Sequence, residues 1–191
     1  MALSSAHLGT ASDASDYTAP QTAILGSNFD AERGGSLFID GSTGSKTLEA
    51  GLLGLTGGHI WAHNLTLKGS IDAASPGALI ASNATAELGD SKITGYNIGV
   101  DAFQRGFTAI DNCTLTNNSD SGVVADNGRV GGSKATIKNN PNYGVHAIHS
   151  GSIIIFSSAG QMSGNGTNIS ADVAGHDSNG SSWKGSTANI Q

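Results

Sequence analysis

Two carboxylates, Asp101 and Asp126, are the residues best placed in this sequence for acid–base chemistry. They fall in related segments, Gly99-Val100-Asp101-Ala102 and Gly122-Val123-Val124-Ala125-Asp126. Glycoside hydrolysis needs an acid and a second carboxylate about 5–9 Å apart. A lyase needs a base, usually beside Lys or Arg and often with a calcium ion that acidifies the substrate proton. Arg105 and Arg129 follow the two acids and supply cations. Solvated acids in exposed ion pairs explain the same residues, and such pairs contribute little. That plainer reading is adopted. The chain is expected to have no catalytic site, with Asp101 and Asp126 as its weak candidates.

Other reactive types are thinner. His59 and His63 lie four apart, and His146 and His149 three apart, without an acidic partner at ligand spacing. No metal and no cofactor are expected. Cys113 is the single cysteine, so no intrachain disulfide can form, and a buried inert thiol is expected. Gly34-Gly35, Gly57-Gly58 and Gly131-Gly132 lack the Gly-Lys-Ser/Thr and the following helix of a phosphate loop. Phe103, Phe107 and Tyr143 are the candidates for stacking on sugar rings.

An internal repeat positions these residues. Gly99-Val100-Asp101-Ala102, Gly122-Val123-Val124-Ala125 and Gly144-Val145-His146-Ala147 recur at steps of 23 and 22. Gly106, Gly128 and Gly151 follow at similar steps, as do Lys92-Ile93-Thr94, Thr114-Leu115-Thr116-Asn117 and Thr136-Ile137-Lys138-Asn139. Thr66-Leu67-Lys68 precedes them by a longer step of 26, and Gly77-Ala78-Leu79-Ile80-Ala81 is a degenerate copy of the first element. Apolar residues sit at every second position, which is strand period. Three strands in roughly 22 residues, repeated, form one rung of a parallel β-helix, with rungs stacked about 4.8 Å apart.

Val100, Val123 and Val145 are expected to stack inside, as are Ala102, Ala125 and Ala147, and Ile93, Leu115 and Ile137. Asp101, Val124 and His146 share one outward column, and Phe103, Asp126 and Ile148 the next. That diagonal puts the two carboxyls about 7–9 Å apart. Val123→Asp should therefore unfold the chain, and Val124→Asp should be nearly silent. Asn117 and Asn139 fall at one corner, where stacked amides can bond each other and tolerate left-handed backbone; glycines suit corners for the same reason. The expected fold is all-β, a right-handed parallel β-helix of roughly six rungs over residues 34–166. Residues 1–33 form an N-terminal attachment or capping arm, and residues 167–191 a polar C-terminal cap or tail.

Composition narrows the function. Of 191 residues only 13% are charged, and three are Pro, which argues against a charge-driven disordered chain or a Pro-rich linker. The net charge of −6 supplies no basic field, so no nucleic-acid partner is expected. The longest apolar run, Ile153–Phe156, is too short to span a membrane. The start has neither a basic nor an apolar leader segment, so no signal peptide is expected.

The Gly-Val-x-Ala, post-glycine and Thr-apolar-Asn elements resemble the pectate-lyase-like right-handed β-helix superfamily over residues 34–166. Within it, the chain is similar in character to bacteriophage tailspike, tail-fibre and virion-decoration modules. The resemblance implies a homotrimer in the virion. Residues 1–33 would dock on other virion proteins, and the β-helix would meet bacterial surface polysaccharide. A polysaccharide depolymerase on the same fold is the alternative.

Overall fold

The computed structural model describes residues 29–41, 46–49, 51–69, 77–156 and 162–171. The bulk of the expected N-terminal arm and of the C-terminal tail lies outside them. The described residues contain strands and turns and no helix, so none is long and apolar enough to cross a membrane.

The first rung comprises β1 (Phe29–Glu32), β2 (Ser36–Asp40) and β3 (Lys46–Leu48). The second comprises β4 (Leu52–Leu55), β5 (His59–His63) and β6 (Leu65–Lys68). The third has β7 (Gly77–Ser82), β8 (Thr85–Gly89) and β9 (Lys92–Thr94). The fourth has β10 (Ile98–Phe103), β11 (Phe107–Asp111) and β12 (Thr114–Thr116). The fifth has β13 (Ser121–Asp126), β14 (Arg129–Ser133) and β15 (Thr136–Lys138). The sixth has β16 (Tyr143–Ile148), β17 (Ser152–Phe156) and β18 (Met162–Ser163), and β19 (Thr167–Ala171) follows.

Every third strand pairs in parallel. One seven-stranded sheet runs β1-β4-β7-β10-β13-β16-β19, and two six-stranded sheets hold the others. The chain is thus an all-β parallel solenoid. It runs from Phe29, inside the expected arm, to Ala171, inside the expected tail.

The repeat sets the interior. Leu52, Leu79, Val100, Val123, Val145 and Ile169 form one column of the first sheet. Ala102, Ala125 and Ala147 form the next. Leu67, Ile93, Leu115, Ile137 and Met162 line the third sheet. The second sheet contributes Leu37, Ile60, Ala86, Thr108, Val130 and Ile153. Each fully buried Leu or Val adds about 1.5–3 kcal/mol, so stability accrues rung by rung.

Left-handed residues turn the corners. After the first sheet stand Arg33, Thr56, Asn83, Gln104, Asn127 and His149, with φ from 46° to 54°. After the second stand Asn64, Asp90, Asn112 and Lys134, and after the third Gly95, Asn117, Asn139 and Gly164. Asn and Asp prevail because their short polar side chains lower the penalty of this conformation. The corners keep the inter-rung hydrogen bonding intact: Asn83 N–H donates to Gln104 O (3.1 Å) and Gln104 N–H to Asp126 O (3.1 Å).

One expectation about the corners is corrected, and the expected left-handed glycines are found at Gly34, Gly57, Gly95 and Gly164 but not at the repeat's own glycines. Asn117 and Asn139 are left-handed (φ 56° each), but the bonded amides belong to the residues after them. Asn118, 1% exposed, donates both its N–H and its Nδ2 to Oδ1 of Asn140 (3.1 Å each). Asn140, 0% exposed, repeats this toward Oδ1 of Asn165 (3.0 and 2.9 Å). The ladder is inside because a turning residue points its side chain out and its successor points in. Glycine has a different role as well. A Cβ on Gly106, Gly128 or Gly151 would strike the carbonyl oxygen of Ala81, Ala102 or Ala125 on the preceding rung. A Cβ on Gly99, Gly122 or Gly144 would crowd the amide of Asn118, Asn140 or Asn165. Close approach, rather than positive φ, requires those glycines.

Candidate functional site

The first sheet carries the two candidate acids on its outer face. Asp101 stands between Ile80 and Val124 in the column Leu53–Ile80–Asp101–Val124–His146. Asp126 pairs with Phe103, two residues beyond Asp101 on the adjacent strand. The diagonal between them corresponds to a Cα separation of about 8 Å at standard strand and rung spacing.

Their environments differ. Ile80 and Val124 are only 4% and 7% exposed, although strand alternation points them away from the interior. The expected solvated face is therefore corrected: around Asp101 it is apolar and sheltered, and Val124 is buried outside the central core. The Oδ1 of Asp101 is buried without a hydrogen-bond partner. Burial first, and the charge of Asp126 second, push the Asp101 carboxyl up to about 6. Asp126 bonds Nδ1 of the exposed His149 at 2.8 Å, rather than Arg105 or Arg129. One carboxyl is thus held protonated in mildly acidic solution while its neighbour is bonded to an imidazole. Divided carboxyl environments of this kind suit acid and base roles.

The aromatic candidates separate. Phe103 ends β10 and Phe107 begins β11, so both flank the first corner, with Phe107 39% exposed. Tyr143 starts β16, at the opposite end of its strand and two rungs away, and stacks on His146 (centroids 4.1 Å). The structure does not bring Tyr143 to the other two.

A second aromatic group escaped the sequence reading. Phe38 and Trp61 are neighbours on the second sheet and stack at 4.0 Å and 11°. Trp61 stacks in turn on His63 at 4.4 Å and 15°. His63 lies over Gly89, where a Cβ would strike the imidazole, and its Nδ1 is 3.5 Å from Asp90. The two stand one ordinary rung step of 23 residues apart, but neither belongs to a recurring sequence element, which hid the pairing. Both faces of the Trp61 ring are covered, so it is no sugar platform.

The first corner is concave. Asn83, Gln104, Arg105 and Asn127 line a depression of ≈ 280 Å³. A second, of ≈ 250 Å³, is lined by Gly57, Gly58, Asn83, Ala84, Thr85, Arg105 and Phe107. Asn83 and Arg105 belong to both, so the two are continuous along the solenoid. Nothing in the repeat announced this groove, because its residues vary from rung to rung while the backbone shape recurs.

His63 and His149 each meet a single acid, and among the described residues no group of three His, Cys, Asp or Glu is placed to hold a metal. Cys113 is buried, and burial pushes its thiol up to about 12. Comparison with protein-family models, curated proteins and solved structures returns no match.

Proposed function

We propose that the chain is a structural and binding module of a bacteriophage virion, of tailspike, tail-fibre or capsid-decoration type, on a pectate-lyase-like right-handed β-helix. It works as a homotrimer, docks on the particle through its N-terminal arm, and presents the solenoid flank to bacterial surface polysaccharide. The observation that supports an assembly is the pair of sheet edges at the two ends. Among the described residues, β1, β2 and β3 are edge strands at one end, and β19, β17 and β18 at the other. Strand edges at the ends of a solenoid call for a cap, a role this reading gives to the terminal arm and tail together with neighbouring chains. The polar corner groove supports the saccharide role, since amides and an arginine suit hydroxyl-rich ligands. The virion setting itself rests on the resemblance.

Sedimentation of the full chain tests the assembly: a trimer is expected, and a stable monomer would remove the proposal. Because β1 begins at Phe29, the informative deletion is residues 1–28. It should abolish incorporation into particles and leave the rungs folded.

The depolymerase reading is favoured by one observation, the sheltered Asp101 beside Asp126. Incubation with capsular or lipopolysaccharide glycans, followed by reducing-end and unsaturated-sugar assays, tests it. Turnover lost in Asp101→Asn or Asp126→Asn would establish the enzyme; absence of turnover leaves the binding module.

A further inference from the structure

Charge is sorted by sheet. The strands of the first sheet contain Asp30, Glu32, Asp101 and Asp126 and neither Lys nor Arg. The strands of the third contain Lys46, Lys68, Lys92 and Lys138 and neither Asp nor Glu. The second sheet mixes the signs, with Asp40, Glu87, Asp111 and Arg129. Charges that only keep a sheet from aggregating serve with either sign, so one sign per face calls for a further reason.

The third sheet spaces its cations. Lys68 and Lys138 stand in one outward column with Thr94 and Thr116 between them, and Lys92 stands in the other between Thr66 and Thr114. No two of these lysines are cross-strand neighbours, which spares the face the cost of like charges directly opposite each other. Lys68 and Lys92 are exposed, and none of the three makes an ion pair among the described residues. On the first sheet Glu32 and Asp126 share an outward column with Leu55, Ser82, Phe103 and Ile148. Leu55, Phe103 and Ile148 are half-buried, and Asp126 meets His149 through one oxygen, Oδ1. Carboxylates set among aliphatic and aromatic side chains suit a lysine, whose stem lies on apolar surface while its ammonium meets an acid.

We propose that copies of the chain join through unlike faces, the third sheet of one against the first sheet of the next. The inference rests on the homotrimer reading and adds the two faces and their opposite charge. A contact between unlike faces is heterologous, and it forms a ring when the rotation closes. With the solenoids parallel to the ring axis, cyclic symmetry leaves no axial shift, so rungs of equal number meet. Glu32 of the first rung then faces Lys46 and Lys68 of the first two, and Asp126 of the fifth faces Lys138 of the fifth. The third sheet is about 29 Å tall and 10 Å wide at standard strand spacing, well under the roughly 800 Å² per partner of a standard interface. Apolar burial alone is therefore weak, and the charges decide whether the ring holds.

Sedimentation of the full chain over a concentration series tests this, at low salt and at about 1 M salt, where charges are screened beyond about 3 Å. The concentration for half-assembly should rise at least about tenfold between the two, since one charge-assisted hydrogen bond corresponds to about 10- to 100-fold. Lys138→Glu and Lys92→Glu should each raise it at low salt, and so should Asp126→Lys. Asp126→Lys combined with Lys138→Glu should restore assembly, and Glu87→Lys, on the second sheet, should leave it unchanged. Carbodiimide coupling of the wild-type chain, which joins a carboxylate directly to an amine, needs no variant to fold. Its links between copies should map to Glu32 with Lys46 or Lys68 and to Asp126 with Lys138. A trimer indifferent to salt and to every reversal, or links between copies that join other faces, would overturn the inference and leave the homotrimer reading standing. A monomer at every concentration in both salts would overturn both.

Discussion

Asn140→Ala removes the middle of a buried amide ladder, and the structure sets the size of the effect. The Asn140 Oδ1 accepts the N–H and the Nδ2 of Asn118, both at 3.1 Å. Its own Nδ2 donates to Asn165 at 2.9 Å, while its backbone N–H keeps the same acceptor after substitution. Alanine therefore strands two donors on Asn118, which is 1% exposed. Each stranded buried donor costs about 1–3 kcal/mol, so about 3–4 kcal/mol is expected after some relaxation. Typical domains have about 5–15 kcal/mol in total, so the loss is large.

Asn139→Ala is the internal control. Asn139 is exposed at φ 56°, and alanine there should cost about 1–2 kcal/mol, which Asn139→Gly should recover. Urea denaturation at fixed protein concentration measures both, with unchanged slope as the condition for comparing midpoints. Asn140→Ala losing no more than Asn139→Ala would refute the ladder.

Thr108 is 0% exposed with its Oγ1 unpartnered between Ala86 and Val130, so Thr108→Val should stabilise by about 1 kcal/mol in the same assay. Val123→Asp should abolish folding, since it places a charge between Val100 and Val145. Val124→Asp, beside Asp101 and 7% exposed, should lower the thermal midpoint measurably, and an unchanged midpoint would show the outer face to be solvated. Asp101 titrates near 6 folded and near 3.8 unfolded, so the folded chain holds the extra proton between those values. Its stabilisation is full below about 3.8 and is lost as pH rises through about 6. Asp101→Asn should flatten that slope in urea midpoints taken across the interval. Cys113, pushed up to about 12 mainly by burial, should resist alkylation in mildly alkaline buffer until the chain unfolds; prompt labelling of the native protein would contradict its placement.

The columns were legible because they are periodic. The spacing of Val100, Val123 and Val145 alone implied parallel rungs, and the observed pairing follows it. The corner was misread by one residue. Sequence spacing gives the period of Asn117–Asn139 and Asn118–Asn140 equally, and only the backbone turn decides which points inward. Burial of Asp101 was not legible either. Alternation specifies the face on which a side chain lies but not how its neighbours shelter it, and Ile80 and Val124 shelter Asp101 from both sides. The Phe38–Trp61 stack and the corner depression were missed for a related reason: their side chains break the repeat, and a search for recurrence passes over them.

The step from Asn117 to Asn139 makes the chain's length quantised. Excising residues 118–139 would join Asn117 to Asn140 and recreate the junction that Asn139 now makes with Asn140. Asn140 would then offer its Oδ1 to the N–H of Tyr96, as Asn118 does now, and would face Gly99 as Asn118 does now. The remaining rungs would meet surfaces of the kind they already have. Unequal crossing-over between repeats could therefore shorten or lengthen the molecule by about 4.8 Å at a time without designing a new interface. The solenoid is a ruler whose graduation is one rung, and the distance between its two ends is a heritable quantity that changes in whole steps.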